Sequence, residues 1–221
     1  MTGGIIIFDF KGFFDSIQHS LVRSVLEKNF DDRQIIEMNM KIVSTQRDNV
    51  GLILGSENSQ DFAISTPNSF DHFIKEIIRV EFYGRYMDDG IIIDPDYNRL
   101  KESMHRINEF AESLCFTLNS KKTHLLKFGQ QFTMLKRKYN FTETGGIIVR
   151  PVRESVIRER RKLKRICRRV NNGTITPITG YNSLNAWKAS LRGCKCTKIV
   201  RSMERLYNKL FIYDWLYGQE V

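Results

Sequence analysis

Cysteine is scarce in this sequence, with four residues among 221. Cys194 and Cys196 have one residue between them, and neither a histidine nor a second cysteine pair lies nearby. This spacing excludes the usual zinc-binding motifs, which need four ligands in a characteristic pattern. We therefore interpret both residues as ordinary, partly buried thiols.

The sequence also lacks a long apolar run at its amino end. The segment "MTGGIIIFDF" has no basic stretch of the kind that opens a secretory signal, and its apolar run is too short to cross a membrane. Together with the scarcity of cysteine, this predicts a reducing compartment, and we expect a cytoplasmic protein with no membrane partner.

Acidic residues are the third shortage, because 25 Asp and Glu stand against 35 Lys and Arg, a formal net charge of +10. Such a surface attracts polyanions, among which nucleic acid is commoner than an acidic membrane, although charge alone does not decide between them. A hydrophobic content of 41% is enough for a core. We expect a soluble protein.

The sequence does contain alternating strand and helix patterns. The short β-branched segment "GGIIIFDF" predicts a buried strand that ends at Asp9. A first helix is expected to begin after Ser16, which would be its N-cap. Two more helices are expected over "RQIIEMNMKIV" and over "DFAISTPNSFDHFIKEIIRV", the latter despite Pro67. The segment "FYGRYMDDGIIID" predicts a hairpin with Asp88, Asp89 and Gly90 in its turn. This alternation predicts an α+β fold.

The composition changes near residue 150. Before it, residues 97 to 114 have a helical pattern and "YNFTETGGIIVRP" predicts a hairpin that closes near Gly145 and Gly146. Residues 150–169 hold ten basic residues against two acidic ones, with apolar residues at helical spacing. We predict one domain over residues 1–149 and a second, basic and all-helical domain over residues 150–221.

The carboxylates on the two predicted strands are candidates for a metal site. A doubled aspartate in a turn is usually only solvated turn chemistry. If the strands are neighbours, however, Asp9 and Asp88 converge at one edge of the sheet. Converging carboxylates repel each other unless cations lie between them, and hard oxygen ligands suit Mg²⁺. Two such ions stabilise the attacking and leaving oxygens of a phosphoryl transfer.

Four segments in order resemble the reverse transcriptase family. They are "FDFKGFFDSI", "GLILGSENSQDFAISTPNSFDHFIKE", "YMDD" on a hairpin, and "LNSKKTH". The resemblance is closest to bacterial enzymes of diversity-generating retroelements, retrons and group II introns. It implies a polymerase palm, an antiparallel sheet with packed helices, followed by a helical thumb. It also implies Mg²⁺-dependent addition of deoxynucleotides to a DNA or RNA primer on an RNA template, with Mn²⁺ as a substitute metal.

The resemblance also implies roles for individual residues. Asp9 and Asp88 would be the principal ligands of both metals, Asp89 a neighbouring acid, and the Phe10 carbonyl a further ligand. Tyr86 and Met87 would line the primer terminus.

Three further positions would contact the incoming nucleotide by the same resemblance. Phe14 matches a steric gate that selects deoxynucleotides, whereas Phe13 is expected in the core, which is also the alternative for Phe14. Leu54, beside Gly55, stands where many relatives have glutamine, so we hypothesise lowered fidelity. Lys122 would approach the triphosphate or protonate pyrophosphate, unless it is an ordinary surface lysine.

The basic helix would contact the phosphates of a template and primer duplex. The alternative is a solvated charged helix, although ten cations against two anions favour a polyanion partner. The residues expected to bind nucleic acid are Arg158, Arg161, Lys162, Arg165 and Arg169.

The resemblance fails in two places. The fingers that precede the Asp9 block in the family are almost all missing, and Lys136 replaces a glycine of the family's primer grip. Three alternatives follow. The chain is a fragment or a truncated polymerase, or it needs a separate chain that supplies the fingers or acts as an accessory protein, or it binds nucleic acid or a partner without chemistry, as a decayed palm and thumb or as a structural subunit.

Overall fold

The computed structural model describes residues 3–45, 49–142 and 144–213, and the chain forms two compact units, Met1–Phe128 and Gly129–Val221. The predicted domain boundary between residues 149 and 150 lies inside the last strand of the second unit, Ile147–Pro151. The units divide earlier because this strand is hydrogen-bonded to the helical part: the Lys195 amide donates to the Val149 carbonyl over 2.7 Å.

The first unit is built on an antiparallel sheet of four strands in the order β2-β3-β1-β4. The strands are β1 Gly4–Asp9, β2 Phe82–Tyr86, β3 Asp89–Asp94 and β4 His124–Lys127. All six residues of β1 are buried, as expected for a central strand of isoleucines. The predicted strand that ends at Asp9 is confirmed.

Six helices accompany this sheet among the described residues: α1 Phe13–Ser16, α2 His19–Asn29, α3 Arg33–Ser44, α4 Glu57–Ser65, α5 Asn68–His72 and α6 Tyr97–Ser113. A π-helical segment, Phe73–Ile78, continues α5. The helical prediction around Pro67 is confirmed, with the helix interrupted at the proline.

The predicted cap at Ser16 is wrong. Ser16 ends α1, and α2 begins at His19. Between the two helices Ile17 is extended and fully buried, and its carbonyl accepts a hydrogen bond from the Gly51 amide. Burial of Ile17 and pairing with the segment around Gly51 therefore break the helical pattern.

An aromatic cluster fills the core beneath the end of β1. Its rings are 3% exposed or less, and their centroids lie 5.1–5.6 Å from a neighbouring ring. Burial of each of these phenylalanine side chains stabilises the folded state by about 1.5–3 kcal/mol relative to leaving it exposed. The cluster consists of Phe8, Phe10, Phe13, Phe70 and Phe116. Phe13 is therefore a core residue, as predicted.

The second unit combines a sheet with three α-helices among its described residues. The strands β5 Phe132–Met134, β6 Arg137–Phe141 and β7 Ile147–Pro151 are antiparallel in that order. The helices are α7 Arg153–Asn171, α8 Ile178–Ser190 and α9 Thr197–Asn208, and a π-helical segment Lys209–Tyr213 follows.

This unit has its own core around Leu163, Leu184, Trp187 and Met203. The hairpin predicted to close near Gly145 is confirmed, whereas β5 was not predicted. The α+β prediction for the chain is confirmed. Among the described residues, no helix combines the length and the apolar character needed to cross a bilayer.

Candidate active site

The site lies where β1 and β3 end side by side. In their antiparallel register Asp9 is opposite Asp89, and the Phe10 amide donates to the Asp88 carbonyl over 3.1 Å. Because side chains alternate along a strand, Asp9 points away from the face that buries Phe8 and Phe10. The strands therefore bring the three predicted carboxylates to one end of the sheet.

The turn that carries the carboxylates differs from the prediction. It consists of Met87 and Asp88, whereas Asp89 and Gly90 belong to β3. Met87 supplies the left-handed conformation, with a φ of 55°. Gly90 is not needed for the turn conformation but for core packing, because a Cβ at this position would lie 2.0 Å from Phe8 Cζ. A left-handed methionine stores strain of the order of 1 kcal/mol, and such strain is concentrated at functional sites.

Asp9 is buried, at 4% exposure, and is held by two side chains from the segment before β4. Asn119 Nδ2 donates to Asp9 Oδ1 over 3.0 Å, and Lys122 Nζ donates to Asp9 Oδ2 over 2.7 Å. The Asn119 amide also donates to the Asp9 carbonyl over 2.8 Å. Sequence reasoning missed Asn119, because its partner lies more than a hundred residues away.

The carboxylates and Lys122 form one electrostatic group. Burial raises the pKa of Asp89 above its ordinary value, and the charges of Asp88 and Asp9 raise it further while Lys122 lowers it. The hydrogen bond to Asp9 raises the pKa of Lys122, and the coulombic effects of the three carboxylates add to it. The contact thus joins an exposed lysine to a buried carboxylate.

The oxygen atoms of the three carboxylates are suitable ligands for a hard divalent cation, although they are not arranged around a common point as in a preformed metal site. Among the residues that the structure describes, no group of three His, Cys, Asp or Glu side chains is arranged to hold a metal. Lys122 is the cation on Asp9, and its side chain is 61% exposed. Each carboxylate oxygen has two lone pairs, so Asp9 keeps acceptor capacity beyond its bonds to Asn119 and Lys122. Three mutually repelling carboxylates are suited to binding Mg²⁺.

Arg85 on β2 ties the turn to the helices. Its side chain is 6% exposed and binds both oxygens of Asp71 on α5, at 2.8 and 2.7 Å. It also donates to the Met87 carbonyl over 2.9 Å and to the Ile64 carbonyl over 2.9 Å. The Tyr83 hydroxyl donates to Asp71 as well. Sequence reasoning missed this network because its members come from three separate elements.

Apart from Lys122, the residues predicted to contact the incoming nucleotide lie on α1 and on the loop that pairs with it. Phe14 is partly buried, and the Leu52 amide donates to its carbonyl over 2.8 Å. Leu54 follows on this loop and is 76% exposed, and Gly55 has a φ of 100°. Residues 46–48, which precede this loop, lie outside the described residues. The structure therefore links Phe14 to the loop of Leu54 through the backbone.

The residues predicted at the primer terminus lie on the hairpin itself. Tyr86 is the last residue of β2 and is 63% exposed. Met87 is partly buried against the core. Both flank the carboxylates along the chain.

The predicted phosphate-binding residues lie on α7 in the second unit. Arg158, Arg161, Lys162, Arg165 and Arg169 are all exposed and share one side of the helix. The opposite side buries Leu163 and Ile166. At the turn between β5 and β6, Leu135 and Lys136 have φ values of 48° and 60°. Lys136 thus has the left-handed conformation that glycine adopts at little cost.

Comparison with known proteins agrees with this geometry. The family described as reverse transcriptase (RNA-dependent DNA polymerase) matches residues 3–148. No curated protein matches the chain significantly. Telomerase from Candida albicans in complex with the TWJ fragment of telomeric RNA is a similar solved structure, with a TM-score of 0.54 at 13% identity over 96% of this chain and 44% of that chain.

Two other similar structures come from Candida tropicalis. Apo telomerase has a TM-score of 0.53 at 13% identity, over 97% of this chain and 43% of that chain. Apo telomerase truncated from the C-terminal domain has a TM-score of 0.52 at 17% identity, over 66% of this chain and 35% of that chain. The chain thus spans less than half the length of these structures, and the likeness at such identities is one of fold.

The chain belongs to the reverse transcriptase family, because the family match covers most of its length. The resemblance predicted from the motifs is confirmed at this level. The bacterial retroelement subtype stays a prediction.

Proposed function

We propose that the chain is the palm and thumb of an RNA-directed DNA polymerase, which adds deoxynucleotides to the 3′-end of a DNA or RNA primer on an RNA template. The observation that carries the proposal is the pairing of Asp9 with Asp89 at the end of the central strand, with Asp88 in the adjoining turn. The family match over residues 3–148 supports a palm role for that part of the chain. The thumb role of the helices after it rests on the motif resemblance and on the basic residues of α7.

Asp9, Asp88, Asp89 and the Phe10 carbonyl would hold Mg²⁺, or Mn²⁺ in its place. When bound, two such ions stabilise the attacking and leaving oxygens of an in-line displacement. The chain's own part is to fix the ligands. Asn119 and Lys122 hold the Asp9 carboxylate in one orientation, and Arg85 holds the carbonyl of Met87 beside Asp88.

The substrate positions follow from the same proposal. Phe14 would lie under the incoming sugar and exclude a 2′-hydroxyl by a steric clash. Tyr86 and Met87 would contact the primer terminus. Lys122 would meet the triphosphate, and its ammonium group lies 2.7 Å from Asp9 Oδ2. Gly55 would let the backbone approach the nucleotide. The cytoplasmic location stays a prediction.

Primer extension tests the proposal. The chain is mixed with an RNA template, a primer, Mg²⁺ and deoxynucleotides, alone and with a second polypeptide that supplies the family's fingers. We expect extension by the wild type to be abolished in Asp88→Asn/Asp89→Asn. Asp96→Asn is the control, because it removes a carboxylate beyond the far end of β3 while keeping a good helix cap on α6. Equal extension by the double variant and the wild type would refute the assignment of the carboxylates.

A nucleic-acid-binding protein without chemistry is the second candidate. It is favoured by the ion pair between Lys122 and Asp9 and by the finding that no group of three His, Cys, Asp or Glu side chains among the described residues is arranged to hold a metal. The same experiment decides between the two. Duplex binding without extension in every mixture would favour the second candidate and overturn the first.

Leu54 makes fidelity a separate prediction. An exposed aliphatic side chain at this position offers no polar contact to the templating pair. We expect Leu54→Gln to lower the error frequency of the complementary DNA several-fold, whereas Leu54→Met should leave it unchanged. Sequencing the products of the three proteins measures the effect. Equal error spectra for the wild type and Leu54→Gln would contradict the prediction.

A further inference from the structure

A second candidate site lies entirely within the Gly129–Val221 unit. A cleft of about 460 Å³ opens between β6, β7, α7 and α9. This volume is in the range of small-ligand sites. Its rim carries Lys138 and Arg150 from the sheet and Arg153 and Arg160 from the helix. No aspartate or glutamate is among its described lining residues.

The sheet side of the cleft holds two cations at close range. Lys138 and Arg150 are directly opposite each other on β6 and β7, so their side chains leave the same face. Like charges in such a cross-strand pair repel and destabilise the sheet. Within the part of the chain that the structure describes, none of the four rim cations has an acidic partner within 4.0 Å. An anion in the cleft would relieve this repulsion.

On the helix side of the cleft, one of the two cations is anchored. Arg153 and Arg160 are seven residues apart on α7 and therefore lie on one side of it. The Arg160 guanidinium donates to Ser202 Oγ over 2.7 Å, which anchors it to α9. A guanidinium held in this way is partly ordered before a ligand arrives, which lowers the entropic cost of binding.

The floor between these cations is apolar. Val156, Ile157 and Ile199 line it, and Ile157 is 36% exposed. A cationic rim around an apolar floor matches a nucleotide, whose phosphate is anionic and whose base has an apolar face. Inorganic anions would use the rim alone.

The cleft is distinct from the basic side of α7 described above. At about 100° per residue, Arg158, Arg161 and Arg165 lie roughly a third of a turn around the helix from Arg153 and Arg160. The two sets therefore cannot contact the same phosphate. One set faces outward, and the other lines the cleft.

We propose that this cleft binds one unpaired nucleotide of a single-stranded nucleic acid, with the phosphate on the four cations and the base against Val156 and Ile157. The site adds single-strand binding to the proposed function and does not depend on polymerase chemistry. A duplex would be held by the outward side of α7 instead.

Fluorescence anisotropy with the full chain tests the proposal, in EDTA and without deoxynucleotides, so that failure of polymerase activity does not affect the result. The probes are a five-nucleotide oligouridine and a blunt RNA–DNA duplex. Lys138→Ala/Arg150→Ala should bind the oligouridine about tenfold more weakly and the duplex nearly as the wild type does. Arg161→Ala/Arg165→Ala, which also removes two charges, should show the reverse.

A third variant separates the floor from the rim. Ile157→Gln should weaken oligouridine binding. The affinity of the cleft for inorganic phosphate, measured by displacement of the oligouridine, should stay unchanged. Thermal unfolding of each variant serves as the folding control. Because Lys138→Ala/Arg150→Ala removes a repulsive pair, it should unfold at the same temperature as the wild type or higher.

Two results would overturn the proposal. Equal losses for both probes in the two double variants would mean that the cations form one diffuse basic surface. Uridine monophosphate that binds as tightly as the oligouridine would assign the cleft to free nucleotides instead of a strand. The opposite selectivity of the two double variants, with weak monophosphate binding, would support it.

Discussion

Position 90 requires glycine because of a neighbour in the core. A Cβ at Gly90 would lie 2.0–2.5 Å from three atoms of the Phe8 ring, and Phe8 is fully buried. The ring cannot move away, since it packs edge to face on Phe10 and Phe70. The residue after the two aspartates is thus set by core packing beneath the site.

Gly90→Ala should lower the free energy of unfolding by about 1–3 kcal/mol through overpacking. Gly84→Ala is the matched control on the neighbouring strand, where a Cβ would meet Ile91 at an ordinary 3.8 Å. We expect the control to leave stability unchanged or slightly raised. Chemical denaturation of both variants measures the difference. Equal midpoints would show that the Phe8 ring yields easily.

At the scale of the element, a single arginine connects the β2–β3 hairpin to the helices. Arg85 joins Met87 in the turn to Asp71 on α5 and to the end of α4. The planar guanidinium reaches these partners at once, which a lysine ammonium cannot do. The position of the carboxylates therefore depends on helices that contribute none of the three carboxylates.

Arg85→Lys should lower the free energy of unfolding by about 2 kcal/mol, because Asp71 and two carbonyls lose buried partners. Arg23→Lys is the control, since Arg23 also binds both oxygens of a glutamate, Glu37, but on the surface. It should leave stability essentially unchanged. Denaturant titration compares the two. A loss in Arg23→Lys as large as that in Arg85→Lys would contradict the role of burial.

Two element predictions show where local patterns were insufficient. The hairpin was predicted from "YMDD" and its flanking strands, but the predicted turn began one residue too late. Gly90 was interpreted as a turn residue, whereas the glycine is needed there because the Phe8 ring packs against it. The helix cap at Ser16 failed because Ile17 is withdrawn into the core. In both cases a contact distant in sequence overrode a correct local preference.

At the scale of the whole molecule, the excess of cations predicts salt-sensitive binding. The logarithm of the affinity for a duplex should fall linearly with the logarithm of the salt concentration, because phosphate contacts release counterions. Arg161→Ala/Arg165→Ala should reduce the slope by about two. Lys41→Ala/Lys101→Ala removes the same charge from exposed positions on α3 and α6 and should change the slope little. Equal slopes in both variants would refute a specific role for α7.

The sequence by itself determined the main classes of element and the family, and it pointed to the three carboxylates that lie together at one end of the sheet. Runs of isoleucine specify strands, cations on one side specify an exposed helix face, and the motifs are contiguous, so local chemistry is enough for each. Only the tertiary structure decided that Asp9 lies opposite Asp89, that Asn119 and Lys122 hold it, that Arg85 anchors the turn, and that Lys138 and Arg150 share a cleft with Arg160. These relations depend on strand register and helix packing, which are set by the summed burial of the whole chain and leave no mark at any single position.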